Sequence, residues 1–191
     1  MDEQKWDKRL RISTCGRDAA RSDAYRYPYE PTPYCVLQRL ADSGLITRNS
    51  VVLDYGCGKG RVGFFLNHSL GCRTVGVEYD PEIYRQALDN LASSGAKNVS
   101  FVCTRAEQYV PDSADCFYFF NPFSPELLRP VLGKILESWY ENSRPMRLFF
   151  YYPSDEYISL LMTDEHLQFE AEIDCRDLFS GGRERILVFH L

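Results

Sequence analysis

From Pro33 onward the chain repeats one pattern: a short apolar run, a turn, then a longer stretch with apolar residues every three or four positions. Tyr34, Val36, Leu37, Leu40 and Leu45 are spaced as the buried face of a helix that closes near Gly44. Val51-Val52-Leu53 is a buried strand, and Val62, Phe64, Phe65 and Leu66 belong to a helix ending near Gly71. "RTVGVEY" is a second strand, followed by the helix "PEIYRQALDNLASSG", which Pro81 opens and Gly95 stops. "NVSFVC" is a third strand, with a short helical turn over residues 105–109. "ADCFYFF" leads into the long helix "SPELLRPVLGKILESWYEN", with Ser124 at its N-cap, and "MRLFFYY" leads into "SDEYISLLMTD". The end departs from this rhythm. "LQFEAEIDC" and "ERILVFHL" are separated by little more than the turn at Gly181-Gly182, which predicts a hairpin.

Strands alternating with helices predict an α/β fold, a doubly wound and mostly parallel sheet with helices on both faces. The hairpin makes the last strand antiparallel. Residues 1–32 lack the alternation and read as an N-terminal arm. It is polar, rich in Arg and Asp, and ends in the proline-broken "RYPYEPTPY". Residues 33–191 form the domain. At 191 residues and 45% hydrophobic content the chain supports one full core.

The net charge of −5 excludes a broad non-specific nucleic-acid surface. The seven cysteines form no C-x-x-C pair and sit mostly in apolar segments, as reduced thiols do. "MDEQKWDKRLRIS" is no secretory signal, and no apolar run approaches a membrane span, so the chain reads as cytoplasmic with no membrane partner. Lys5, Lys8, Arg9 and Arg11, balanced by Asp2, Glu3 and Asp7, read as an ordinary charged helix. His68, His166 and His190 have no Cys or carboxylate at ligand spacing, so no metal is expected.

The candidate chemistry begins at "VVLDYGCGKGRVGFF", residues 51–65, with four glycines directly behind the first strand. A phosphate-binding P-loop needs Ser or Thr after its lysine, and Lys59 is followed by Gly60. Spacing alone leaves two readings, a dinucleotide loop at Gly58-x-Gly60-x-x-Gly63 and an S-adenosylmethionine loop at Asp54-x-Gly56-x-Gly58-x-Gly60. Placement on the elements separates them. Asp54 closes the first strand, where a carboxylate would repel a pyrophosphate but suits a ligand carrying an ammonium and a sulfonium. Glu78 closes the second strand, where its two oxygens can accept from ribose hydroxyls.

With "LDYGCGKG" and "VGVEYD", the sequence resembles the class I S-adenosylmethionine-dependent methyltransferases over residues 33–191. The resemblance implies a seven-stranded sheet of order 3-2-1-4-5-7-6 and S-adenosylmethionine as cofactor. It implies cofactor-binding roles for Asp54, Gly56, Cys57, Gly58, Gly60, Glu78 and Tyr79, the last along the adenine. Many members carry an Asp after the third strand for the adenine amino group. Here the stretch reads "VCTRAEQY", with Thr104 or Arg105 at that place and Glu107 nearby.

After the fourth strand, "FFNPF" resembles the Asp/Asn/Ser-Pro-Pro-Tyr/Phe motif of members that methylate amino or amide nitrogens, with one proline fewer. The catalytic candidates are therefore Asn121, Pro122 and Phe123, with Asn121 also beside the cofactor. The Asn121 oxygen and Pro122 carbonyl would accept the two protons of an NH₂ group, and Phe123 would stack on a planar substrate. Ser124 as helix cap leaves Asn121 free for that role. Tyr25, Tyr27, Tyr29 and Tyr34 precede the domain, and Tyr151 and Tyr152 follow the fifth strand. Of these, Tyr29, Tyr34 and Tyr152 are the substrate candidates, as a flap that excludes water. "YEPTP" also resembles segments of protein-lysine methyltransferases of this class. The expected activity is methyl transfer to a nitrogen of a protein side chain, nucleobase or small molecule. A non-catalytic module holding S-adenosylmethionine or S-adenosylhomocysteine is the alternative.

Overall fold

The computed structural model describes residues 2–16 and 29–191. Its sheet is built from β1 (Val51–Tyr55), β2 (Arg73–Glu78), β3 (Val99–Cys103), β4 (Cys116–Phe119), β5 (Arg147–Tyr151), β6 (Gln168–Asp174) and β7 (Arg185–His190). The strand order is β3-β2-β1-β4-β5-β7-β6, as the resemblance implied. β1 through β5 pair in parallel, while β7 runs antiparallel to both β5 and β6. The chain therefore reverses direction at β1, leaving a crevice beyond the carboxyl ends of β1 and β4, where ligands of doubly wound sheets bind.

The helices are α1 (Glu3–Leu10), α2 (Tyr34–Asp42), α3 (Arg61–Leu70), α4 (Pro81–Ser94), α5 (Pro125–Glu141) and α6 (Asp155–Thr163). Two apolar layers result. One lies under α2 and α3 and includes Tyr34, Leu37, Phe65 and Tyr118. The other lies under α5 and α6 and includes Phe119, Leu128, Phe150 and Leu161. The parallel strands read as apolar runs because both of their faces are covered. Across the second layer Tyr55, Phe119 and Phe150 stack in a row, with ring centroids 5.1 and 4.6 Å apart. Such pairs contribute about 0.5–1.5 kcal/mol each beyond their burial.

α4 starts as expected: Asp80 caps it, accepting from the Glu82 and Ile83 amides at 2.8 and 3.2 Å, with Pro81 in the first turn. α5 differs. Ser124 holds the N-cap position, but its hydroxyl makes no capping bond. The hairpin forms as expected, with a register shift between Phe169 and Ala171.

The expected charged helix at the N-terminus is α1, but its Asp7 is buried rather than solvated. Asp7 accepts from the Thr14 amide and hydroxyl and from the Tyr34 hydroxyl, each at 2.6 Å. Trp6 meets Tyr34 and Phe65, at 5.6 and 4.9 Å between ring centroids, docking α1 on α2 and α3. Among the described residues no helix is long and apolar enough to cross a membrane.

Candidate active site

A cleft of ≈ 240 Å³ opens at the carboxyl ends of β1, β2 and β4. Its floor is the glycine loop. Gly56 and Cys57 both donate to the Val77 carbonyl, at 2.9 and 3.1 Å, folding the loop back over the end of β2. The close packing explains two of the glycines. A methyl group on Gly56 would lie 2.5 Å from the Pro122 side chain, and one on Gly58 would overlap the Tyr29 ring. Both have positive φ, +72° and +55°, which side chains other than glycine rarely adopt.

Glu78 is 6% exposed, and both its oxygens are engaged. Oε2 accepts from the Gly58 amide at 3.0 Å, and Oε1 accepts from the Tyr79 and Asp80 amides at 2.9 Å each. These bonds use three of the roughly four acceptor positions of a carboxylate. By that count one position on Oε2 is left without a donor. Burial raises the Glu78 pKa, and its three amide donors oppose the rise.

Asp54 lines the same cleft at 4% exposure, and its Oδ2 has no partner among the described residues. Burial, and then the Glu78 charge, push its pKa up to about 8. A buried carboxyl without a donor is costly unless a ligand supplies one. This orphaned oxygen, facing a cleft whose glycines admit close approach, fits the ammonium end of S-adenosylmethionine.

The opposite wall comes from the end of β4. Asn121, Pro122 and Phe123 all line the cleft, so the structure brings the catalytic candidates together with Asp54, Gly56, Cys57, Glu78 and Tyr79. Asn121 is not free, however. Its Nδ2 donates to the Tyr152 carbonyl at 2.6 Å, while its Oδ1 is buried without a partner among the described residues. Phe123 is 5% exposed and meets Phe119 edge-on at 6.4 Å, so its ring belongs largely to the core.

Of the other candidates, Tyr29 lines the cleft. Its hydroxyl donates to the Thr14 carbonyl at 2.7 Å, and the Lys59 ammonium lies 5.0 Å from its ring centroid. Five expected residues do not line the cleft: Gly58 and Gly60 of the loop, Tyr34, Arg105 and Tyr152. Tyr34 is fully buried with its hydroxyl on Asp7, so it supports the wall from behind rather than meeting a substrate. Arg105 is absent from the wall, where its neighbours Thr104, Ala106 and Glu107 stand. The Tyr152 side chain is 38% exposed outside the cleft, and its backbone is what reaches Asn121. Tyr25 and Tyr27 lie outside the described residues.

Arg61, the first residue of α3, was not singled out from the sequence. Its side chain is 3% exposed and faces Glu3 and Asp7. Nε donates to the Thr14 hydroxyl at 2.7 Å and Nη1 to the Thr32 carbonyl at 3.2 Å. Thr32 in turn bonds the Tyr118 hydroxyl of β4 at 3.0 Å. Arg61 thus ties α1 and the Tyr29–Thr32 segment to the start of the cofactor-loop helix.

A family described as a methyltransferase domain matches residues 52–145. A protein-lysine N-methyltransferase of Saccharolobus islandicus is 35% identical over 113 residues, 58% of this chain and 70% of that protein. The chain belongs to the class I S-adenosylmethionine-dependent methyltransferases. A human protein described as tRNA (uracil-5-)-methyltransferase homolog A is 38% identical over 78 residues, but this methyltransferase spans only 12% of it. In fold it is similar to an RNA methyltransferase from Salinibacter ruber in complex with S-adenosyl-L-homocysteine. That likeness has a TM-score of 0.63 at 20% identity and covers 84% of this chain and 93% of the other. The methyltransferase is thus an enzyme whose methyl donor is S-adenosylmethionine.

Proposed function

We propose that this methyltransferase acts on nitrogen, and that the acceptor is the side-chain amine of a protein lysine. The observation that carries the reading is Asn121 Oδ1, a buried acceptor on the cleft wall with no donor among the described residues. An N–H of the acceptor supplies that donor. S-adenosylmethionine supplies an electrophilic methyl carbon on sulfur, so the work left to the protein is alignment and exclusion of water. Asn121 Oδ1 takes one N–H of the neutral amine, which leaves the lone pair free to point at the methyl group. Pro122 and Phe120 wall the approach. Asp54 receives the cofactor ammonium, the glycine loop its methionine portion, and Glu78 Oε2 one ribose hydroxyl. The lysine ammonium gives one proton to solvent before attack; as the new C–N bond forms the bond to sulfur breaks, and the product leaves as a methylated ammonium.

Charge supports an amine over a nucleobase. Besides Asp54, which holds its proton up to about pH 8, the cleft is lined by five carboxyl groups, Glu30, Glu78, Asp80, Glu82 and Glu107, against the single guanidinium of Arg61. An ammonium is drawn into such a mouth and a phosphate backbone is repelled. The Saccharolobus islandicus relative, described as acting on protein lysine, agrees with this choice.

The test supplies tritiated S-adenosylmethionine with poly-L-lysine, an unmodified tRNA transcript or spermidine. Label is expected in poly-L-lysine, and Asn121→Ala is expected to lower that rate about 10²-fold, the scale of losing a group that aligns the reacting atoms. Affinity for S-adenosylhomocysteine should change less than about threefold, because the substitution leaves the loop and Glu78 intact. Label in tRNA alone, or an undiminished rate in the variant, overturns the proposal.

A further inference from the structure

β4 and β5 end within one residue of each other. Phe119 pairs with Phe150 in the last register position of the two strands, and two residues beyond that pair lie Asn121 and Tyr152. Both have positive φ, 38° and 50°, and both are residues other than glycine. For tyrosine this conformation is uncommon and costs free energy, and it persists only where the surroundings enforce it. The surroundings here are visible. The Tyr152 amide stays on the sheet, donating to the Arg185 carbonyl of β7 at 2.9 Å. Its own carbonyl accepts the Asn121 side chain at 2.6 Å. Pro153 follows and restricts the backbone further.

This clasp decides which end of the Asn121 amide is left without a partner. With Nδ2 held on a carbonyl, Oδ1 is the atom left buried without a partner, in a residue that lines the cleft. A freely turning amide would present a donor as readily as an acceptor, and a donor cannot hold an amine in its reactive, neutral form.

We infer that the main chain of Tyr152 is a positioning element of the acceptor site, acting through Asn121, and that its left-handed conformation serves to aim its carbonyl at the amide. The aromatic side chain is incidental to this role. The inference rests on the nitrogen-acceptor reading of Asn121, and two substitutions at that residue separate the two claims. Asn121→Ala removes the acceptor oxygen together with the clasp. Asn121→Asp keeps an oxygen and removes the donor to Tyr152.

The experiment compares Tyr152→Asn, whose residue tolerates positive φ, with Tyr152→Val, which resists it. Methyl transfer to poly-L-lysine is measured alongside calorimetry with S-adenosylhomocysteine. The Asn121 side-chain amide is followed by NMR in ¹⁵N-labelled protein without cofactor. Tyr152→Asn is expected to lie within about threefold of wild type in kcat. Tyr152→Val and Asn121→Asp should each fall tenfold or more in kcat, with KM for S-adenosylmethionine changing less than about threefold. The Asn121 amide should show one proton protected from exchange in wild type and Tyr152→Asn, and neither protected in Tyr152→Val. Wild-type kcat in Asn121→Asp, with Asn121→Ala inactive, overturns the clasp and leaves the nitrogen reading standing. Wild-type kcat in Asn121→Ala overturns both. If Tyr152→Val does not fold, the Asn121→Asp rate and the wild-type amide protection still decide the matter.

Discussion

Asp54 shows how a single position couples the cleft to its cofactor. Its carboxyl keeps its proton in the folded protein up to about pH 8, because burial and then the Glu78 charge disfavour the anion. The unfolded chain would release that proton near the ordinary carboxyl value of 3.8. Between those values the folded state binds more protons than the unfolded state, so this group makes stability fall as pH rises from about 4 to 8. Asp54→Asn should flatten that part of the pH–stability curve, which denaturant melts at several pH values would reveal. A cofactor ammonium favours the anion, so binding should release a proton within this window. Calorimetry in buffers of different ionisation enthalpy would detect the release, and a binding heat independent of buffer would remove Asp54 from the ammonium role. Asp54 and Glu78 were legible in the sequence because an acid at the end of a buried strand, beside glycines, has few structural uses. The clasp was not legible. Nothing about a tyrosine after a strand signals positive φ, and the bond to Asn121 depends on two strands reaching the same register.

At the scale of elements, the N-terminal arm is joined to the catalytic cleft through Arg61. Nothing in the sequence singles it out, and only the folded chain places Glu3, Asp7 and Thr14 around the guanidinium, from 47 to 58 residues upstream. That separation is why α1 read as an ordinary charged helix. Removing one partner of a buried charge is costly, about 3–5 kcal/mol in well-packed settings. Hydrogen bonds from Thr14 and Tyr34, with the Arg61 charge, overcome the effect of burial and hold the Asp7 carboxyl below its usual range. Deleting residues 1–28 takes away Glu3, Asp7 and Thr14 but leaves all seven strands. The shortened protein should still melt cooperatively by circular dichroism, several degrees lower. Its affinity for S-adenosylhomocysteine should fall about tenfold, because Tyr29 and Thr32 lose their anchors. Unchanged affinity would show that the arm contributes packing alone.

For the molecule as a whole, the alternation of apolar runs with helical spacings gave the strand count, the parallel core and the reversed final strand, since each depends on patterns within a few residues. S-adenosylhomocysteine at 100 times its dissociation constant should stabilise the fold by about 2.7 kcal/mol and raise the melting midpoint by about 5–10 °C. NAD at the same concentration should not move it, and a matching shift with NAD would return the glycine loop to the dinucleotide reading. The position of β7 has a different consequence. It follows every other element of the fold in the chain, yet it sits inside the sheet between β5 and β6. A growing chain that has emerged only through β6 therefore presents the apolar β5 as an open edge, the kind of surface that recruits other strands. The Tyr152 amide bonds to Arg185 on β7, so the chain just beyond β5 gains that anchor only when the last strand is in place. One late pairing thus both covers the β5 edge and anchors the Tyr152 backbone.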